Sequence, residues 1–217
     1  MQLVKSGAWA VCAGLLMVGC GGSGEDATAP EAEPAATEAA SAPAPAPAEM
    51  LGGGTVTPVH EGMAGSPHVQ VAWEVEGANI AITYGRPLLK DRVVGDTVEP
   101  RDGSVWRLGA DEATILTTDR DLMMGSAHVP AGNYTLWTLT NGDTTELIVN
   151  SETGQWGTAY DDSKDLARTE MTVSTLETPA DQLTLHIEDS ALRLEWGALA
   201  ASVPIMVHLG SSLTEAP

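Results

Sequence analysis

Charged and aromatic side chains crowd most densely in this 217-residue chain between Gly103 and Thr114, where Arg107 stands beside Trp106 and the pair Asp111-Glu112 follows a Gly-Ala turn. Adjacent carboxylates serve acid–base chemistry only when the fold presses the right one against a substrate, because neighbours along a strand point to opposite faces. The plainer expectation is structural: Arg107, Arg86 or Arg92 pairs with Asp111 or Glu112 and pins a crossing between sheets. Arg86, Trp106, Arg107, Asp111 and Glu112 are therefore the candidate binding residues, and no residue is assigned a catalytic role.

Other chemistry is poorly represented. The five histidines, at 60, 68, 128, 186 and 208, have no ligand spacing, so a metal site would have to be assembled entirely by the fold, and none is expected. Asp161 to Asp165 superficially resembles a calcium loop, but Lys164 and the missing glycine and terminal glutamate break the pattern, leaving a solvated acidic loop. There is no phosphate loop, dinucleotide fingerprint or Gly-x-Ser-x-Gly elbow, and no cofactor is expected. Trp73 and Trp196 alternate with apolar residues and read as core. Trp106, Trp137 and Trp156 stand near glycines or in two-sided runs, where a ring that reaches the surface would offer a ligand platform.

The elements that must position these residues are strands. Val69, Val71, Trp73 and Val75 share one face, and after Gly77 the pattern repeats at Ile80, Ile82 and Tyr84, which reads as a hairpin. Leu183, Leu185 and Ile187 alternate in the same way, then Leu192, Leu194 and Trp196 beyond an Asp189-Ser190 turn. Asn141-Gly142 is the strongest hairpin signal. Val203, Ile205 and Val207 end the series, with Pro204 pointing to an edge position. About ten short strands without a sustained helical period predict an all-β fold, an antiparallel sandwich or barrel over residues 66–210, followed by a tail at 211–217.

The N-terminus reads as an address. Lys5 and the apolar run from Ala8 to Val18 form an export signal over 1–19. Gly19-Cys20 at its end resembles the lipobox of bacterial lipoproteins, which implies lipidation at Cys20 and a membrane partner through that anchor. Gly21 in place of Asp implies the outer membrane, where the organism has one. Cys12 leaves with the signal, so the mature domain would have no free thiol, disulfide or thiolate metal site. Residues 21–50 hold eleven Ala, five Pro and six acidic residues and no Val, Ile or Leu, so residues 20–65 are expected to be a disordered spacer. With 30 acidic against 10 basic residues and a net charge of −20, the chain lacks the basic face that nucleic acid requires.

Several strings together resemble one family. They are Tyr84-Gly85-Arg86-Pro87, Lys90-Asp91-Arg92, Gly103 through Thr114, Pro130 through Leu136, Gln155-Trp156-Gly157 and Leu194-Glu195-Trp196. The family is an exported bacterial group catalogued as domain of unknown function 2911, and the resemblance covers about Ser66 to Val207. Asp91 stands where Gly is usual and Asp111 where Asn is usual. The resemblance implies a fold and export, with no activity attached. Two functions remain open. One is a lipid-anchored, non-catalytic envelope module that binds a glycan, a peptide or another envelope protein. The other is a hydrolase or lyase acting on an envelope polymer, with Asp111 or Glu112 as acid–base.

Overall fold

The computed structural model describes residues 49–208. The export signal, Cys20, most of the spacer and the C-terminal tail lie outside them. Twelve strands follow in chain order: β1 (Met50–Leu51), β2 (Gly54–Glu61), β3 (Pro67–Val75), β4 (Ala78–Gly85), β5 (Val105–Trp106), β6 (Thr114–Thr118), β7 (Leu122–Met124), β8 (Ala127–Val129), β9 (Gly132–Asn141), β10 (Thr144–Asn150), β11 (Asp165–Glu188) and β12 (Ala191–Val207). Two single 3-10 turns are the only helical pieces among the described residues.

The strands form one antiparallel sheet in the order β1-β2-β3-β4-β6-β9-β10-β11-β12-β7-β8, with β5 attached to β9. It is not closed. It folds back because β11 changes partner. Up to Met171 this strand pairs with β10, and from Thr172 it pairs with β12, with register breaks around Ala180. The inward residues of the two halves, such as Val71, Ile82 and Leu116 on one side and Leu185, Leu194 and Val203 on the other, share one buried core. Tyr84 crosses that core. Its hydroxyl accepts from the Leu185 backbone N–H at 2.9 Å and donates to the Leu185 carbonyl at 3.4 Å.

The all-β, antiparallel expectation is met, and three details change. Sequence alternation separates Thr169–Leu176 from the run at 182–188, whereas the backbone continues through the exposed 177–181 stretch as one 24-residue strand. Pro204 marks the point where β12 leaves β11 and takes up β7, so the proline's missing donor falls at a change of partner inside the sheet order rather than at an outer edge. The ordered chain also begins before Ser66. β2 pairs along β3, Val56 is buried, and the Trp73 indole donates to the Leu51 carbonyl at 2.9 Å. Most of β2 is exposed and its buried positions are few, so its alternation is too thin to read.

A fragment spanning 66–208 should therefore melt below one spanning 49–208, by about 2–4 kcal/mol for the lost Val56 burial and the lost indole hydrogen bond. Equal melting points would return the boundary to Ser66. Burial pushes the Tyr84 phenol up to about 12, against the opposing pull of the Leu185 contact. The folded state thus holds a proton that the unfolded chain releases near pH 10. That stabilisation is complete below pH 10 and is lost as pH rises from 10 towards 12. Tyr84→Phe should flatten this part of the stability–pH curve, measured by denaturant titration. An unchanged slope would show that Tyr84 is not the group responsible.

Candidate functional site

Trp106 closes β5 with its ring buried and its indole donating to the Gly109 carbonyl at 3.3 Å. The chain then makes a tight excursion before β6. Leu108 and Asp111 both adopt left-handed backbone, at φ +49° and +62°. Such angles are strained for Leu and tolerated by Asp. The Thr114 hydroxyl donates to the Leu108 carbonyl at 3.1 Å and ties the base of the excursion. Residues 155–157 strap its far side: Gly157 N–H donates to Asp111 carbonyl at 2.9 Å, and Glu112 bridges Trp156.

This excursion passes over a row of cross-strand partners. His60 on β2 pairs with His68 on β3, and His68 pairs with Gly85 on β4, so the two imidazoles project from one face beside a position without a side chain. The rings stack with centroids 4.3 Å apart and planes 17° from parallel. Asp111 and Glu112 come down upon them. His68 Nε2 lies 3.3 Å from Asp111 Oδ2 in a hydrogen bond, and His68 Nδ1 lies 3.4 Å from Glu112 Oε2. His60 Nε2 lies 3.8 Å from Glu112 Oε1. His68 is 4% exposed, while His60 and Glu112 remain open to solvent.

The other sequence-predicted residues do not join this group as expected. No Arg–carboxylate pair forms at Asp111 or Glu112 among the described residues, because histidines occupy those carboxylates. Arg107 is half-buried and donates to the Gly157 carbonyl at 3.3 Å, with its Nε buried and unpartnered. Burial lowers its guanidinium pKa, opposed by the charges of Asp111, Glu99 and Glu112. Arg92 donates to the Leu88 and Leu89 carbonyls. Arg86 is buried and staples β4 to β11, donating to the Leu183 carbonyl at 3.3 Å and pairing with Glu49 at 3.2 Å. Trp106 belongs to the core. His60 and His68 were missed because their spacing of eight residues carries no motif. Only the β2–β3 register, with β2 itself unread, makes them neighbours.

Arg86, His60 and His68 line one cleft of about 730 Å³, together with Glu49, Glu61 and Gln182 and the apolar surfaces of Val56, Pro58 and Val69. A second cleft of about 540 Å³, between the 89–100 segment and the middle of β11, is largely apolar and contains no histidine. Chemistry favours the first. The placement of its His68 depends on Gly85, where an added Cβ would lie 2.6 Å from the Ala110 carbonyl and 2.8 Å from His68 Nε2. Gly85→Ala should displace His68 or the excursion above it and cost about 1–3 kcal/mol by thermal melt. A neutral result would mean the row is loosely packed.

No curated protein and no solved structure matches the chain. One family model does, over residues 66–205, and its description is "Protein of unknown function (DUF2911)". The match spans the sheet from the start of β3 nearly to the end of β12, including the excursion that carries Asp111 and Glu112, and the chain belongs to this family.

Proposed function

We propose that this chain is a lipid-tethered, non-catalytic binding module of the cell envelope, with a glycan strand as its ligand. The observation that carries the reading is Trp156. Of the five tryptophans described, Trp73, Trp106, Trp137 and Trp196 are buried, whereas Trp156 is 42% exposed and bridges Glu112 at the rim of the excursion. An exposed indole held at the rim by its bridge to Glu112 presents an apolar face to a sugar ring while neighbouring carboxylates and imidazoles take its hydroxyls. The export signal, the lipobox-like Gly19-Cys20 and the Ala/Pro-rich spacer support an envelope location.

The acid–base reading has less behind it. The Asp111 side chain is 14% exposed and held by His68, and Glu112 Oε2 is buried. Among the described residues no Ser or Thr hydroxyl is hydrogen-bonded to His68, so that imidazole has no nucleophile to activate.

Two measurements test the proposal. Cys20→Ser should move the chain out of the membrane fraction or leave an unprocessed precursor, and unchanged mass and fractionation would remove the tether. The detergent-solubilised full chain should co-sediment with purified envelope polysaccharide, and Trp156→Ala should weaken this about tenfold, the loss of one stacking contact. Sedimentation only with protein-containing envelope fragments, or indifference to Trp156→Ala, would overturn the glycan reading.

A further inference from the structure

We propose that His60, His68 and Glu112 form a binding site for a divalent first-row transition cation of the zinc type, with Asp111 as the positioning carboxylate behind His68. The inference is independent of the glycan reading. One donor atom from each of the three residues lies within 4.8 Å of the others. Two imidazoles and a carboxylate are the donor set that such ions take, and three protein donors leave at least one position for water or a ligand atom.

The hydrogen bonds settle which ring nitrogens are available. His60 Nδ1 lies 3.1 Å from the Glu61 carbonyl, which only accepts, so Nδ1 carries the proton and Nε2 keeps its lone pair. His68 Nε2 donates to Asp111 Oδ2, which in the neutral ring leaves Nδ1 as the lone-pair nitrogen. Both remaining lone pairs turn to Glu112, one towards each carboxylate oxygen, at 3.8 and 3.4 Å. Each histidine thus has its second nitrogen fixed by an acceptor, the outer arrangement that orients metal-binding imidazoles.

Glu112 Oε2 supplies an independent observation. It is buried and has no hydrogen bond, although His68 Nδ1 is 3.4 Å away. With the ring neutral, two lone pairs face each other there at a cost in free energy, and a cation between them removes that cost. The spacing suits one. Ligands about 2.1 Å from a tetrahedral ion stand about 3.4 Å apart. The stacked rings show what must move. A cation in the plane of His68 lies outside the nearly parallel plane of His60, so the exposed His60 ring turns out of the stack to coordinate, while buried His68 stays in place.

The test uses the untagged full chain in detergent, titrated with Zn²⁺ by calorimetry and with Co²⁺ by visible absorption. One ion should bind per chain, reversibly by chelator. His60→Ala, at an exposed position, and Glu112→Gln, at a half-buried one, should each weaken binding at least about tenfold while the melting point in chelator stays near wild type. Asp111→Asn should weaken it about 10- to 100-fold through His68 and alter the Co²⁺ spectrum without abolishing it. His128→Ala, at the exposed pair with Asp121 elsewhere on the sheet, should change nothing. Failure to bind, or binding that His60→Ala and Glu112→Gln leave intact, overturns the site. So does binding that falls with His128→Ala.

Discussion

The architecture depends on one constraint: an open antiparallel sheet of this width must bury one face, and with no helix described to cover it, it covers itself. The 24-residue β11 makes that possible by serving both halves of the sheet in succession. Once folded, the halves are held at the β4 end by polar contacts that cross the core. Tyr84 occupies both polar groups of the Leu185 peptide, and Arg86 takes the carbonyl of Leu183 two residues earlier. The next contacts in line are Leu183 N–H to the Pro87 carbonyl and Gln182 to the Arg86 carbonyl. Backbone groups that an open sheet would leave unpaired are satisfied here, as burial requires.

That seam also determines where chemistry can sit. With β4 locked to β11, its last residue Gly85 is a fixed point, and the excursion from Leu108 to Glu112 crosses directly over it. A glycine there, and another at Gly62 whose added Cβ would collide with Asp111 Oδ2, leave the room in which the Asp111 carboxylate reaches the buried His68 imidazole. The left-handed backbone at Leu108 and Asp111 is the conformational cost of that approach. Strain of this kind persists when surrounding contacts over-determine it, and the 155–157 strap supplies them.

The strands of the family region were legible because each buries one face, so Val69 to Val75, Ile80 to Tyr84 and Leu192 to Trp196 alternate as they should. Asp111 and Glu112 were legible as chemistry because charged neighbours after a Gly-Ala turn break such alternation. Their partners were not. Pairing acid with arginine is sound on composition, but arginines are long enough to be drawn elsewhere, and Arg86 goes to the Leu183 carbonyl and Thr184 hydroxyl across the core and to Glu49. The histidines escaped notice for a different reason. His68 sits on the strand face it shares with exposed Gln70, Ala72 and Glu74, and it is buried because a loop about forty residues later covers it. Cross-strand register and loop crossings are non-local, and residue spacing along the chain carries no trace of them.

The charge of the chain gives the site its direction. Acidic residues outnumber basic ones three to one, so the field around the sheet draws cations and repels anions. Of the bases near the excursion, Arg86 is committed to the core seam and Arg107 to the Gly157 carbonyl, half-buried, with its positive charge pointed at the strap rather than the cleft. Histidines are then the groups left facing two carboxylates, and neutral imidazoles offer lone pairs rather than charge. A pocket so built is poorly suited to phosphate or any other anion, which would meet the carboxylates of Glu49 and Glu61 in the cleft and of Glu112 beside His60. It is suited to a cation, which the acid surplus attracts, or to a neutral ligand rich in hydroxyls, whose O–H groups the local carboxylates can accept.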